Sequence, residues 1–185
     1  MGKWYHTFIT GLKEDVHLRM CDSFLINRTV LAVKAFFMGE NKSEIITTRG
    51  IYYSVLTPLE LLNKACINYS STWQGRTDVA TDLLNYSKKP PFIIEPNKIG
   101  VFPTKSSKSP DCVFIFNHHI SVHEVAKGQS VITFMAGISV TVKVSKNTIL
   151  KQYQRLHTLM SVSNLRHQEK ELYDRENGFD DRIVW

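Results

Sequence analysis

With 185 residues, 43% of them hydrophobic and 22% charged, the chain has the balance of a folded globule and is too apolar for a disordered tail. Its three cysteines, Cys21, Cys66 and Cys112, are odd in number and far apart, which excludes a disulfide framework and points to a reducing compartment. The net charge of +6 is localised: Pro96–Gln168 alone carries nine basic residues against Asp111 and Glu124, a net +7.

Met1–Thr10 has no apolar stretch of the secretory kind, and no run reaches the ~18 apolar residues of a membrane span. A cytoplasmic protein with no membrane partner is expected. Up to Gly11 the chain reads as a weakly held arm. Leu18–Leu25 and Thr29–Phe37 favour β structure, and Gly39-Glu40-Asn41 supplies a turn after the second. Glu44–Thr48 and Ile51–Val55 flank Arg49-Gly50, a hairpin signal. Thr57-Pro58-Leu59-Glu60 starts a helix, with Thr as N-cap, Pro in the first position and Glu in the capping-box place. Leu59, Leu62, Cys66 and Tyr69 follow at helical spacing, so this helix runs to about Asn68.

A second helix is predicted from Thr77 to Tyr86, with Val79, Ala80, Leu83 and Tyr86 inward. Pro90-Pro91 then forces extended chain. Strands are expected at Phe92–Ile94, Ile99–Phe102, Val113–Phe116, Ile120–Val125, Ser130–Phe134 and Ile138–Val144. Ser145 caps a third helix, apolar at Ile149, Leu150, Tyr153, Leu156 and Met160, with Lys151 and Arg155 on its wet face. Beyond Arg166 the charge reverses, six acids against three bases in Glu169–Trp185. The expected fold is α+β: one curled, mainly antiparallel sheet or two sheets, with about three helices. Residues 1–165 form the single binding domain and 166–185 a mobile acidic tail.

A one-signed charge field on a soluble protein is usually matched by a polyanion, and double-stranded DNA is the first candidate. Arg76, following Gly75 at a helix entrance, suits a narrow A/T minor groove. Lys105, Ser106, Ser107 and Lys108 lie in a Ser/Thr/Lys loop whose hydroxyls and ammonium groups are phosphate donors. Lys88 and Lys89 precede rigid prolines, and Lys151 and Arg155 offer a second phosphate row. Counting both lysine pairs with Lys151 and Arg155, six cations predict a log–log salt slope of about −5. Cys112, His118, His119 and His123 are the rival constellation, a zinc site. On a strand His119 and His123 share one face and His118 the other, so no metal or other cofactor is expected. No nucleotide loop, nucleophile elbow or carboxylate pair appears, so an enzyme is not expected. The alternative is a non-enzymatic RNA or protein interaction module with a basic face.

The stretch from Trp73 to Cys112 resembles the competence transcription factor (ComK) family of Gram-positive bacteria. The resemblance rests on Trp73-x-Gly75-Arg76, on Lys89-Pro90-Pro91 followed by Glu95-Pro96, and on the loop Phe102-Pro103-Thr104 through Pro110-x-Cys112. It implies a DNA-binding activator of late competence genes, acting in the nucleoid. Paired A/T-rich boxes would be read in the minor groove and bent by a homodimer or higher assembly. It also implies adaptor-delivered proteolysis through a C-terminal motif. The tail Leu172-Tyr173-Asp174-Arg175-Glu176 departs there, lacking an apolar Met-Leu-Tyr-Pro type sequence.

Overall fold

The computed structural model describes residues 25–178. In chain order these form β1 (Val30–Met38), β2 (Asn41–Thr47), β3 (Gly50–Ser54), α1 (Pro58–Ile67), α2 (Trp73–Leu84), β4 (Phe92–Glu95), β5 (Ile99–Pro103), β6 (Val113–Phe116), β7 (Ile120–Ala126), β8 (Gln129–Phe134), β9 (Ser139–Val142) and α3 (Lys146–Glu176). The class is α+β, with two antiparallel sheets. The larger has six strands in the order β3-β2-β1-β6-β5-β4, and the smaller has three, β7-β8-β9. The N-terminal arm, and Leu18–Leu25 up to its last residue, lie outside the described residues.

The large sheet is covered on both faces, which is why its strands read as unbroken apolar runs. Side chains alternate across the pleat. Val33, Phe92, Val101, Phe114 and Phe116 meet Leu61, Leu62, Ala65 and Cys66 of α1. Leu31, Phe102, Val113 and Ile115 face the other way, onto Val122, Ile132, Phe134, Val140 and Val142 of the small sheet and Ile149 and Leu156 of α3. A third cluster, Ala80, Ile93 and Leu159, seats α2 against β4 and α3. Gly100 of β5 permits this seating of α3: a Cβ there would come within 2.7 Å of the Met160 sulfur and 2.8 Å of Leu156 Cδ1.

The helix starts follow their caps. Thr57 and Glu60 form the predicted capping box, each side chain meeting the other's backbone N–H. These bonds hold the Glu60 carboxyl below the usual glutamate range. The second helix begins four residues before its predicted start, because Thr72 caps it by accepting from the Gly75 N–H at 3.0 Å. It ends at Leu84, with Asn85 in the left-handed conformation, so Tyr86 lies outside it. Its inner face is Thr77 and Ala80, whereas Val79 is exposed. In α3 the expected inward Leu150 is exposed, and Gln152 is buried instead. That helix continues through Arg166 to Glu176, and its last turns are exposed.

Candidate nucleic-acid interface

Gln152 is the hub of the basic region. Its side-chain amide donates to the Lys89 carbonyl at 2.8 Å and to the Pro103 carbonyl at 3.0 Å. Its own oxygen accepts from Arg155 Nη1 at 2.6 Å. Arg155 also donates to the Lys88 carbonyl at 2.9 Å and lies over the Tyr86 ring, 4.1 Å from its centre. Arg155 is therefore half-buried and pinned; the wet-face placement read from the sequence does not hold for it. Burial lowers its pKa from the usual arginine range. Lys151, by contrast, is exposed as expected. Together Gln152 and Arg155 clamp Lys88-Lys89, where Lys89 has a φ of +51°. A left-handed lysine costs about 1 kcal/mol, so the clamp holds Lys88-Lys89 in a conformation they would otherwise leave.

The Thr104–Cys112 loop is equally built. Thr104 is fully buried, its backbone N–H donating to the Val113 carbonyl while its hydroxyl accepts from the Val113 N–H at 3.0 Å. Ser109 and Cys112 close two turns by donating backbone N–H groups to Ser106 and Ser109. Asp111 then bridges two cations, Lys105 at 3.2 Å and Lys143, the residue after β9, at 3.1 Å. The two ammonium groups hold its carboxyl below the ordinary aspartate range. A depressed carboxyl stabilises the fold above its unfolded pKa and loses that contribution as pH falls through its folded one. The triad is thus closed at neutral pH and opens on acidification.

A cleft of about 530 Å³ collects these parts. Trp73, Gln74 and Asp78 of α2 form one wall, Lys88-Lys89-Pro90 the second, and Pro103, Ser106 and Ser107 the third. An adjoining cleft of about 510 Å³ shares Ser87 and Lys88 and adds Lys151 and Arg155. Of the residues singled out in the sequence, Lys88, Lys89, Ser106, Ser107, Lys151 and Arg155 therefore line two connected clefts. Lys108 stands exposed in the adjoining loop. Lys105 is paired with Asp111, and Arg76 lines neither cleft. The Arg76 guanidinium donates to the Tyr69 carbonyl at 2.9 Å, tying α2 to the chain leaving α1, with its Nε buried and unpaired. Gln152 was missed, although a polar residue three after Ile149 and four before Leu156 falls inside the apolar arc of α3.

If Asp111 holds two cations back from phosphate, Asp111→Asn should release both. A filter-binding titration is expected to show a log–log salt slope steeper by about 2 in the variant. An unchanged slope would mean that Lys105 and Lys143 do not reach DNA.

The rival metal constellation is dispersed. His118 is in the β6–β7 turn, with Nε2 at 2.8 Å from the Val30 carbonyl oxygen, while His119 and His123 are exposed. Among the described residues no group of three His, Cys, Asp or Glu is placed to hold a metal ion. Cys66 and Cys112 are buried free thiols. Burial pushes Cys66 up to about 11 and raises Cys112, so neither is a ready thiolate. Elemental analysis is expected to find no stoichiometric zinc and EDTA to leave the melting curve unchanged. One zinc per chain whose removal unfolds the protein would overturn this. No helix among the described residues is long and apolar enough to cross a membrane.

Comparison with known proteins converges on one family. The family model described as "ComK protein" matches residues 21–168, which include both clefts and every cation that lines them. A curated relative, the "Competence transcription factor" of Bacillus subtilis (strain 168), is 28% identical over 137 residues, covering 72% of this chain and 71% of the relative. No solved structure matches. With the match spanning the large sheet, the small sheet and most of α3, the chain belongs to the ComK family.

Proposed function

We propose that this protein is a transcription activator of competence genes that binds double-stranded DNA. It selects A/T-rich boxes mainly through the minor groove and phosphates, with two or more copies on a site, in the nucleoid. The observation that carries this is the convergence of Lys88, Lys89, Ser106 and Ser107 in one cleft, with Lys151 in the next. Both the loop and the Lys88-Lys89 step are ordered by internal bonds before any ligand arrives, so little entropy is lost on binding. The acid-free run from Val125 to Gln168 keeps repulsion low on that side. The family match and the name of the Bacillus subtilis relative support the competence assignment. Turnover by a proteolysis adaptor remains part of the proposal, with the exposed last turns of α3 as the segment it would take.

What the cleft lacks supports minor-groove reading. Its only helix, α2, presents Gln74 and Asp78 bonded to each other at 2.7 Å, and an acid is a poor lining for a phosphate-walled major groove. The test replaces A·T pairs of the box by inosine·cytosine, which rewrites the major-groove pattern and keeps the minor-groove acceptors. In a gel shift against RNA and G/C-rich competitors, binding should survive within about tenfold, or ~1.4 kcal/mol. It should drop sharply with true G·C pairs, whose 2-amino group occupies the groove. Inosine·cytosine boxes that fail as badly as G·C boxes would show major-groove reading.

A further inference from the structure

The β1–β2 hairpin outruns the sheet it belongs to. Lys34 of β1 pairs with Val113, the first residue of β6, so Ala35–Met38 have β2 as their only ladder partner. Four residues at about 3.3 Å each project the tip roughly 13 Å past the end of β6. Phe37 and Met38 at this tip are 74% and 68% exposed. Two neighbours fix the ribbon: Phe36 stacks on Tyr53 with ring centres 4.7 Å apart, and Lys34 pairs with Glu44 at 3.1 Å. Gly39, at φ +60°, makes the turn. An aromatic ring and a thioether on a braced ribbon in water are costly to leave uncovered.

The register says what lies beside them. Val33 pairs with Phe114, Phe114 with Pro103, and Val101 with Phe92, so the Thr104–Cys112 loop and the Lys88–Pro91 step leave the sheet at this same end. Three strand spacings of about 4.8 Å separate β1 from β4. The tip, the loop and the clamp therefore form one row. Along it Lys42, Lys108, Lys88 and Lys89 outnumber Glu40 at the tip, Glu60 near Lys42 and Asp78 in the cleft, while Asp111 is neutralised by Lys105 and Lys143. An apolar tip rising from a cationic row matches a surface that is anionic outside and apolar between its layers, namely a stacked duplex. Apolar side chains inserted at a base step unstack it and kink the helix away from the groove they enter.

From this placement we infer that Phe37 and Met38 are a wedge that enters the DNA minor groove and opens a base step while the basic clefts hold the flanking phosphates. The inference rests on the DNA-binding reading above and adds the device that deforms the duplex. Its chemistry is non-covalent: stacking of the Phe37 ring and the Met38 thioether against bases in place of a neighbouring base.

The test uses the full chain and its Phe37→Ala/Met38→Ala variant on an A/T-box duplex. End-labelled duplex reports bending by energy transfer, and 2-aminopurine placed in turn at each step reports unstacking by its fluorescence. The wild type is expected to shorten the end-to-end distance and brighten one step. The variant is expected to bind with the same salt slope, leaving the duplex straight and every step dark. A variant that bends and brightens as the wild type does overturns the wedge, as does a wild type that binds without brightening any step. A variant whose free form melts lower shows the tip to be covered by the chain's own residues. One that loses only self-association shows it to be a contact between copies. Either result overturns the wedge. Failure of the wild type to bind any duplex, read by anisotropy, overturns the underlying DNA-binding reading instead.

Discussion

Affinity for duplex DNA is expected to fall about a hundred-fold when salt is raised from about 50 to about 200 mM, with a log–log slope near −3.5. The number follows from four phosphate contacts. Lys88, Lys89, Lys108 and Lys151 make no ion pair among the described residues, whereas Lys105 is held by Asp111. Arg155 spends its guanidinium on the Lys88 carbonyl, Gln152 and the Tyr86 ring. The six cations read from the sequence would have given about −5. The difference separates the two pictures in one titration. A slope close to −5 would show Lys105 and Arg155 leaving their partners on the DNA. A slope near zero would remove phosphate contact as the source of affinity.

Replacing Gln152 by Ala should be among the most damaging single changes, costing about 3 kcal/mol or more. The side chain is 2% exposed, and its loss strands the Lys89 and Pro103 carbonyls and frees Arg155. Each buried group left without a partner costs about 1–3 kcal/mol, and three are affected. For a domain of this size the melting temperature should drop roughly 10 °C. DNA affinity should fall further than stability accounts for, because Lys89 then relaxes from its left-handed conformation and the cleft loses a wall. Arg155→Lys gives the graded control. It keeps the charge but loses the forked donor and the stacking on Tyr86, so about 1–2 kcal/mol is expected. If Gln152→Ala melts with the wild type and binds DNA equally, the clamp is not what holds the cleft open.

Local chemistry made the elements legible, and non-local pairing hid the rest. Thr57, Pro58 and Glu60 announce α1 because a capping box is spelled within four residues. The strands from Phe92 to Val142 are announced by β-branched and aromatic runs between turn residues. The start of α2 was obscured because Thr72 has no acid three positions on, and Gly75 in the first turn reads as a break. Strand order was beyond reach: β1 pairs with β6, about 80 residues later in the chain, and no local signal records that choice. The clefts were half legible. Lys88, Lys89 and the Ser106-Ser107 pair stand out as donors, but their shared wall is made by register. Arg155 was misplaced because the buried arc of α3 spans Gln152, Leu156 and Leu159 and is wider than its apolar residues alone suggest.

Because Gly100 lets α3 lie directly on β5, that one helix also joins the core that the small sheet shares with the large one. Three short strands gain stability from an apolar face that is packed, and this face is buried between the large sheet and α3. Opening should therefore be collective: amides of β7, β8 and β9 should exchange with solvent hydrogen together with those of α3 from Ile149 to Met160, as one cooperative unit. The exposed turns beyond Arg166 should exchange far sooner, fraying without disturbing that unit. The helix then has two lifetimes along its length, a slow segment that stores the fold and a fast one available to whatever must grip the protein without unfolding it first.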